Sequence, residues 1–248
     1  MYDIGAGDGV ITLELAARGA CVVAVEKDGR LFAKLARKVG NCPLVTLRHA
    51  DFFDEALPAH GPYKVFANIP FDSTARIVRK LLFGPNPPID CYLVLQNEAA
   101  EKLAGIGREY LLSLLLKPWF DFSVRHRFRT DDFFPEPRVA IVLLRIERRC
   151  RPLVSQEAAG AYRRFVTGAL RGGKPTVKSA FKGTLSHVSF CRLSKRLGFT
   201  YAASPAELTF EQWLGLFQSV RGCPASSSRL SPGESINDSG PRPFLREC

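Results

Sequence analysis

The sequence lacks an apolar run long enough to cross a membrane. Its longest, "YLLSLLL" at residues 110–116, is far shorter than the roughly 20 residues that a spanning helix needs. The N-terminal residues contain no basic segment followed by an apolar one, which argues against a secretion signal. The seven cysteines include no Cys-x-x-Cys pair of the kind found in zinc sites. We expect a cytoplasmic protein with reduced thiols, no membrane segment and no metal.

Acidic residues are scarce in one part of the chain. Residues 151–200 contain ten Lys or Arg and a single acid, Glu157, so this segment carries +9 of the net charge of +11. A positive charge concentrated in this way favours a polyanionic partner such as a nucleic acid. The alternative is a solvated basic surface without a partner.

The first 150 residues alternate apolar, β-branched runs with amphipathic helical patterns, which is typical of an α/β sheet built from βαβ units. Two late runs, residues 120–128 and 139–147, have no helical pattern between them and predict an antiparallel pair that closes the sheet. Four near-continuous apolar runs predict parallel strands buried on both faces, at residues 21–26, 43–51, 63–70 and 91–96.

Strand patterns end near residue 150. Capping boxes that begin at Ser204 and Thr209 each predict the start of a helix. We expect a small all-α domain of three to five helices over residues 153–220. Residues 221–248 are rich in Ser, Pro and Gly, with little to bury, which predicts a disordered tail.

The stretch "DIGAGDG" follows the first predicted strand, and its glycines at positions 5, 7 and 9 permit a ligand to approach the backbone. One acidic residue follows each of the next two predicted strands. Glu26 can accept hydrogen bonds from both hydroxyls of a ribose. Asp51 can accept one from the amino group of an adenine, with Phe52 packed beside it. Either acid alone is as readily a solvated or capping carboxylate, but their order after successive strands favours an adenosine-containing cofactor.

The stretch "NIPF" follows the fourth strand and falls at the same predicted edge of the sheet. Asn68 Oδ1 and the backbone carbonyl of Ile69 can accept both N–H bonds of an exocyclic amine, which favours a tetrahedral nitrogen whose lone pair faces an electrophile. Pro70 stiffens the turn, and Phe71 offers a face on which an extruded base can stack. Taken alone, the motif is as readily a core Asn-Pro turn with a buried Phe.

The connection between the last two strands carries a further aromatic candidate. In "DDFFPEPRV" (131–139), Phe133 precedes Pro135 and Pro137, which stiffen the loop. Phe133 is therefore a candidate second wall for the same base. Alternatively, Phe133 and Phe134 both belong to the core.

Together these motifs resemble those of the ribosomal RNA adenine-N6 dimethyltransferases, the family that unites the Erm resistance methylases with the KsgA/Dim1 enzymes. Two stretches, "NIPFDSTARIVRKLL" and "SPAELTFEQWLGLF", are more similar to Erm than to KsgA. The resemblance covers about residues 2–147 and rests on co-linear elements: "DIGAGDG", Glu26, "ADFF", "NIPF", "LQNEAAEKL" and "FFPEPRV".

The resemblance implies a Rossmann-like class I methyltransferase sheet over residues 1–150, with S-adenosylmethionine as methyl donor. It implies an adenine of large-subunit (23S) ribosomal RNA as acceptor, methylated before the ribosome is fully assembled, and resistance to macrolides, lincosamides and streptogramin B. The helical domain would bind RNA, and we expect a monomer. Two alternatives stay open: a KsgA-like enzyme for small-subunit RNA, and an RNA-binding protein that keeps the fold without catalysis.

Carried over residue by residue, the resemblance and the motifs assign three groups. The catalytic group around the target adenine is Asn68, Ile69, Pro70, Phe71 and Phe133. The cofactor-binding group is Asp3, Gly5, Ala6, Gly7, Glu26, Lys27, Asp51, Phe52 and Asn68. The RNA-binding candidates are Arg163, Arg164, Lys174, Lys178 and Lys182.

The sequence departs from the family at three places. Ala67 stands where the family often has Gly, and Phe71 stands where it often has Tyr. The family also has a segment before the first strand, with a Gln-Asn-Phe-like stretch that folds over the cofactor, whereas Met1 here falls within the predicted strand. We therefore expect a misassigned start or a truncated chain that lacks this segment.

Overall fold

The computed structural model describes residues 1–171 and 173–222, and the structural account refers to these residues. Their contacts define two compact units. The first contains Met1–Glu101 and Phe120–Arg151, and the second contains Lys102–Trp119 and residues 152–222. The sheet ends at Arg148 and this part of the first unit at Arg151, while the sequence predicted a domain boundary between residues 150 and 153. Lys102–Trp119, which the prediction assigned to the first domain, instead groups with the second unit.

Seven strands of the first unit form one sheet in the order β3-β2-β1-β4-β5-β7-β6. The first five strands pair in parallel, and β7 runs antiparallel to both β5 and β6. The predicted α/β sheet with a closing antiparallel pair is therefore confirmed. The strands are β1 (Tyr2–Ile4), β2 (Val22–Glu26), β3 (Val45–His49), β4 (Lys64–Asn68), β5 (Asp90–Gln96), β6 (Phe120–Arg127) and β7 (Ile141–Arg148).

Helices follow β1, β2 and β4 in the parallel part of the sheet and make up most of the second unit. Among the described residues, no helix is both long and apolar enough to span a membrane. The helices are α1 (Val10–Ala17), α2 (Gly29–Val39), α3 (Thr74–Leu82), α4 (Asn97–Ala104), α5 (Leu111–Leu116), α6 (Gln156–Arg171), α7 (Val177–Ala180), α8 (His187–Leu197) and α9 (Phe210–Gly222).

Helix α2 shows how local sequence fixes an element near the sheet edge. The Asp28 carboxylate caps it by accepting hydrogen bonds from the N–H groups of Arg30 (2.8 Å) and Leu31 (3.0 Å). One face of the helix buries Leu35 and Val39 against small residues of the glycine turn and of β2. The cap sets where α2 begins, and the apolar face holds it on the sheet.

The strand order reverses at β1, which has β2 and β3 on one side and β4 and β5 on the other. In open α/β sheets, ligands bind beyond the carboxyl ends of the strands at such a switch point. The parallel registers bring the carboxyl ends of the five strands to one edge. These ends are Ile4, Glu26, His49, Asn68 and Gln96.

An aromatic core holds the second unit together. Tyr162 and Trp213 are fully buried, and the ring of Phe217 packs edge-on against Tyr162 at a centroid distance of 5.0 Å. Leu114 of α5 belongs to the same core, and its carbonyl oxygen accepts a hydrogen bond of 3.0 Å from Tyr162 Oη. This packing explains why Lys102–Trp119 groups with the second unit although it lies between two strands in sequence.

Both predicted capping boxes are present, but they begin different structures. Ser204 N–H donates to Glu207 Oε2 (2.8 Å), yet the box opens only a 3₁₀ turn, Pro205–Glu207. Thr209 N–H donates to Gln212 Oε1 (2.9 Å) at the start of α9. Since α9 continues to Gly222, the first two residues of the predicted tail are helical. The rest of that tail, residues 223–248, lies outside the described residues.

We expect Tyr162→Phe to lower the free energy of unfolding of the second unit by roughly 1–3 kcal/mol, because it removes a buried donor from the Leu114 carbonyl. Urea unfolding followed by tryptophan fluorescence measures this, since both tryptophans, Trp119 and Trp213, lie in the second unit. Tyr201→Phe, at a 54% exposed position, is the matched control and should change stability little. Equal stability of the two variants would contradict the expectation.

Candidate active site

The glycine turn connects β1 to α1, and its glycines have two different structural roles. Gly5, Gly7 and Gly9 have φ of +68°, +54° and +82°, in the left-handed region that disfavours side chains. A Cβ at Gly5 would meet no atom within 4 Å, whereas one at Gly9 would collide with Leu35 of α2. The turn therefore leaves open space at Gly5 and needs Gly9 for packing of α2.

Glu26 ends β2 and ties the glycine turn to it. Its Oε2 accepts a hydrogen bond from Gly7 N–H (2.7 Å), and its Oε1 accepts one from Asp28 N–H (2.8 Å). Ala6 N–H also donates to the carbonyl oxygen of Val25 (3.1 Å). Glu26 is only 6% exposed, and each of its oxygens keeps acceptor capacity for one further donor.

Asp3 lies beneath this turn with 1% of its surface exposed. Its Oδ2 accepts a hydrogen bond of 2.6 Å from Thr12 Oγ1, while its buried Oδ1 has no partner among the described residues. Burial raises the pKa of the Asp3 carboxyl to about 6; the bond from Thr12 opposes this shift and the nearby Glu26 adds to it. A buried acceptor without a partner is uncommon, which indicates a site for a donor or a cation.

The loop that follows β3 carries the predicted adenine ligands. Asp51 is half-buried, and its Oδ1 accepts a hydrogen bond from Phe53 N–H (2.8 Å). Phe52 is 6% exposed, so little of its ring is available to a ligand. Lys27, predicted to bind the cofactor, is exposed just beyond β2, where its carbonyl oxygen lies 3.3 Å from His49 Nε2.

The NIPF turn begins at the carboxyl end of β4. Asn68 is exposed there, and its side-chain amide makes no hydrogen bond within the described part of the chain. Ile69 is 2% exposed and anchors the turn, since its N–H donates to the carbonyl oxygen of Val94 in β5 (3.2 Å). Pro70 is exposed and leads into a 3₁₀ turn, Phe71–Ser73; the side chain of Phe71 lies outside the described residues.

Phe133 lies on the connection between β6 and β7. It is half-buried, with its ring edge-on to Phe128 at 5.3 Å. Phe134 is fully exposed, so the interpretation that both rings belong to the core is wrong. The start of β7 reaches the same sheet edge as the end of β5, because Asn97 N–H donates to the Ala140 carbonyl oxygen (2.8 Å).

The RNA-binding candidates lie in the second unit. All five are exposed, and the basic stretch from residue 158 to residue 206 contains no Asp or Glu. Lys178 and Lys182 line a cleft of about 500 Å³ together with Phe181, Leu185 and His187. Among the described residues no acidic side chain lines this cleft, so its electrostatic character suits an anionic ligand.

Within residues 1–171 and 173–222, no group of three or more His, Cys, Asp and Glu could hold a metal ion. The candidate residues at the sheet edge include two buried carboxylates, Asp3 and Glu26, a half-buried one, Asp51, and the amide of Asn68. These groups suit hydrogen bonds to an organic cofactor and an amine.

Comparisons with known proteins agree with this geometry. A family model described as ribosomal RNA adenine dimethylase matches residues 1–221. An rRNA adenine N-6-methyltransferase of Corynebacterium diphtheriae is 35% identical over 166 residues, 67% of this chain but only 64% of that protein. The mycinamicin-resistance protein MyrB of Micromonospora griseorubida is 30% identical over 239 residues, 94% of this chain and 76% of its own length.

Two further matches bear on substrate and fold. A ribosomal RNA small subunit methyltransferase A of Geobacter sulfurreducens is 32% identical over 192 residues, 74% of this chain and 70% of that protein. The crystal structure of 23S rRNA methyltransferase ErmE matches with a TM-score of 0.81 at 28% identity and covers 89% of this chain and 90% of that one. The chain therefore belongs to the ribosomal RNA adenine dimethylase family, the rRNA adenine N6-methyltransferases that include the Erm and KsgA types.

Proposed function

We propose that this chain transfers methyl groups from S-adenosylmethionine to N6 of an adenine in 23S ribosomal RNA and thereby confers resistance to macrolides, lincosamides and streptogramin B. The observation that carries the proposal is Asn68, whose amide is exposed and makes no hydrogen bond to any described residue, at the sheet edge that also holds the glycine turn. Similarity to MyrB and to ErmE supports the 23S target and the resistance. In this proposal the chain acts as a cytoplasmic monomer on RNA that is not yet fully assembled into ribosomes.

The residues at the sheet edge fit S-adenosylmethionine. Open space at Gly5 and the spare acceptor capacity of Glu26 suit the ribose, and the Asp51 carboxylate suits the adenine amine. The unpartnered Oδ1 of Asp3 suits a cation, such as the ammonium of the methionine moiety. When bound, the cofactor supplies a methyl group on a sulfonium.

Asn68 and Ile69 would prepare the target amine. The lone pair of N6 is delocalised into the adenine ring, so the amine is a poor nucleophile. Acceptance of its two N–H bonds by Asn68 Oδ1 and the Ile69 carbonyl oxygen favours a tetrahedral nitrogen and stabilises the positive charge that develops on it. An asparagine amide cannot take the proton, which leaves for water. Phe133 would stack against the extruded base, a contact worth about 1–3 kcal/mol.

The second unit would hold the RNA by its phosphates. Its exposed basic residues support this role, as does the cleft at Lys178 and Lys182, whose described lining residues include no acid. The cleft also has apolar residues, Phe181 and Leu185, on its lining, which would suit a base next to a bound phosphate.

A second candidate is an enzyme for small-subunit RNA. The 32% identity to the small subunit methyltransferase A of Geobacter sulfurreducens favours it. The chemistry at Asn68 would be the same, since both candidates methylate an adenine amine.

We expect Asn68→Ala to lower kcat/KM for methyl transfer by about 10²- to 10³-fold, the usual effect of losing one preorganised polar group. The assay follows labelled methyl transfer to purified large-subunit and small-subunit ribosomal RNA, with Asn41→Ala, at an exposed turn residue, as the control. Transfer to the large-subunit RNA alone supports the proposal, and transfer to the small-subunit RNA alone favours the second candidate. Transfer unaffected by Asn68→Ala would refute the role given to this residue.

For RNA binding, we expect Lys178→Met and Lys182→Met each to lower the slope of log affinity against log salt by about 0.7, the contribution of one phosphate contact to a single strand. Fluorescence anisotropy of a labelled RNA fragment at several salt concentrations measures the slope. Lys64→Met, at the start of β4, is the control. If both cleft variants keep the parent slope, this cleft does not hold phosphates.

Asp3 should make stability depend on pH. A folded pKa of about 6, above the ordinary value of 3.8 for an aspartate carboxyl, means that folding favours the protonated form, so stability is lost as pH rises from about 4 to 6. The loss is on the order of 3 kcal/mol. Urea unfolding between pH 4 and pH 7 should show it as a difference between the parent and Asp3→Asn, which keeps an acceptor for Thr12. Parallel pH profiles of the two proteins would contradict the expectation.

A further inference from the structure

The Lys80 ammonium group donates all of its hydrogen bonds to one loop. It lies in the last turn of α3, and its Nζ donates hydrogen bonds to three carbonyl oxygens, those of Phe52 (2.6 Å), Phe53 (2.8 Å) and Glu55 (2.7 Å). An ammonium has three protons, so all of its donors are satisfied by this backbone.

The loop so held carries the proposed adenine ligands. We call residues 51–55 the clamped loop. Inside it, Phe53 N–H donates to Asp51 Oδ1 (2.8 Å), and Asp54 N–H donates to the Asp51 carbonyl oxygen (3.0 Å). The carboxylate of Asp51 is therefore fixed to the same peptide units whose carbonyls Lys80 binds. Any movement of these carbonyls would also turn the carboxylate.

Lys80 differs from most lysines at helix ends in the carbonyl groups that it contacts. A lysine in the last turn commonly interacts with the last carbonyls of its own helix. Lys80 instead reaches carbonyls 25 to 28 residues earlier in the chain, and its Nζ also lies 4.9 Å from the centre of the Phe52 ring. The contact is specific for the clamped loop rather than for the helix.

Further contacts hold the clamped loop, one to α3 and one to β3. The guanidinium of Arg76, one turn earlier in α3, lies 3.9 Å from the centre of the Phe53 ring. The buried carboxylate of Glu55 pairs with Arg48 at the end of β3. Burial lowers the pKa of the Lys80 ammonium, and the carboxylates of Asp54 and Asp51 oppose this shift. The partly desolvated Lys80 ammonium requires these carbonyl acceptors. Its hydrogen bonds therefore stabilise both the clamped loop and the last turn of α3.

Helix α3 also begins at the proposed target-base turn. The 3₁₀ turn Phe71–Ser73 runs directly into Thr74, the first residue of α3. One helix thus follows the NIPF turn at its start and holds the clamped loop near its end.

We propose that Lys80 is a positioning residue for the cofactor: it holds the clamped loop in the conformation that presents Asp51 to the adenine of S-adenosylmethionine. The inference rests on the proposed function for the identity of the cofactor. It assigns no contact between Lys80 and either substrate.

The test compares Lys80→Met with Arg79→Met, which removes an exposed charge from the neighbouring position of the same helix. We expect Lys80→Met to weaken the binding of S-adenosylhomocysteine, measured by calorimetry, about ten-fold, and to raise KM for S-adenosylmethionine similarly. The kcat at saturating cofactor and the KM for RNA should stay near the parent values. Lys80→Arg keeps the charge but cannot direct three donors from one nitrogen, so its effect should be intermediate. Arg79→Met should leave cofactor affinity unchanged.

Amide hydrogen exchange on the cofactor-free protein separates this inference from the proposed function. The N–H groups of Phe53, Asp54 and Glu55 are hydrogen-bonded within the loop, and they should exchange faster in Lys80→Met than in Arg79→Met. Unchanged exchange, or an equal loss of kcat and cofactor affinity, would overturn the positioning role. If the parent binds no S-adenosylhomocysteine, the proposed function fails, and the exchange rates still decide whether Lys80 orders the loop.

Discussion

The pairing of β1 with both β2 and β4 is the constraint on which the site depends. This strand has only three residues, yet its parallel registers on both sides bring the glycine turn, Glu26 and Asn68 to one edge of the sheet. A shift of one residue in either register would send the following side chain to the opposite face. Tyr2, Asp3 and Ile4 are all buried, and such a shift would separate the Asp3 carboxylate from the Thr12 hydroxyl that donates to it.

Two buried carboxylates at this edge differ in how their charge is satisfied. Glu26 accepts hydrogen bonds from two backbone N–H groups, which replace much of the water it loses. Asp3 is hydrogen-bonded by Thr12 alone, its Oδ1 has no partner among the described residues, and burial outweighs the Thr12 bonds and raises the pKa of the carboxyl. The Glu26 carboxylate already accepts two hydrogen bonds from the protein and can accept more from neutral donors. The Asp3 carboxylate is incompletely satisfied, which is the arrangement expected where a cationic ligand completes the site.

Much of the fold was predictable because it depends on local patterns. The apolar runs gave the strands, and the position of Glu26 after β2 placed it at the ligand edge. The hydrogen bonds that Glu26 accepts from the N–H groups of Gly7 and Asp28 were not predictable. Nearly every residue has a backbone N–H, so residue types do not reveal which N–H binds a given carboxylate. Lys80 was missed for a related reason: it sits among other basic residues on the polar face of α3, and its acceptors are distant carbonyls.

At two places the tertiary packing differs from what the sequence order predicts. Lys102–Trp119 lies between two strands in sequence, which argued for the first domain, yet Leu114 packs in the aromatic core of the second unit. The two adjacent rings of "FFPEPRV" look equivalent in sequence, whereas Phe133 packs on Phe128 and Phe134 faces solvent. Alternation along a short, proline-rich loop does not reveal which ring is buried, because no regular period links its residues to a face.

The edge of the sheet does not itself distinguish the two candidate RNAs. In the proposed function its groups bind a cofactor and an adenine amine, and the chain is similar both to ErmE and to a small subunit methyltransferase. An adenine presents the same amine in either RNA, so selectivity has to come from contacts with neighbouring nucleotides. Phosphate contacts by Lys or Arg give affinity without reading sequence, but their spacing can match one folded RNA better than another. In the proposed function, the basic stretch from residue 158 to residue 206, which contains no Asp or Glu, would therefore supply most of the phosphate contacts by which one RNA is preferred over another.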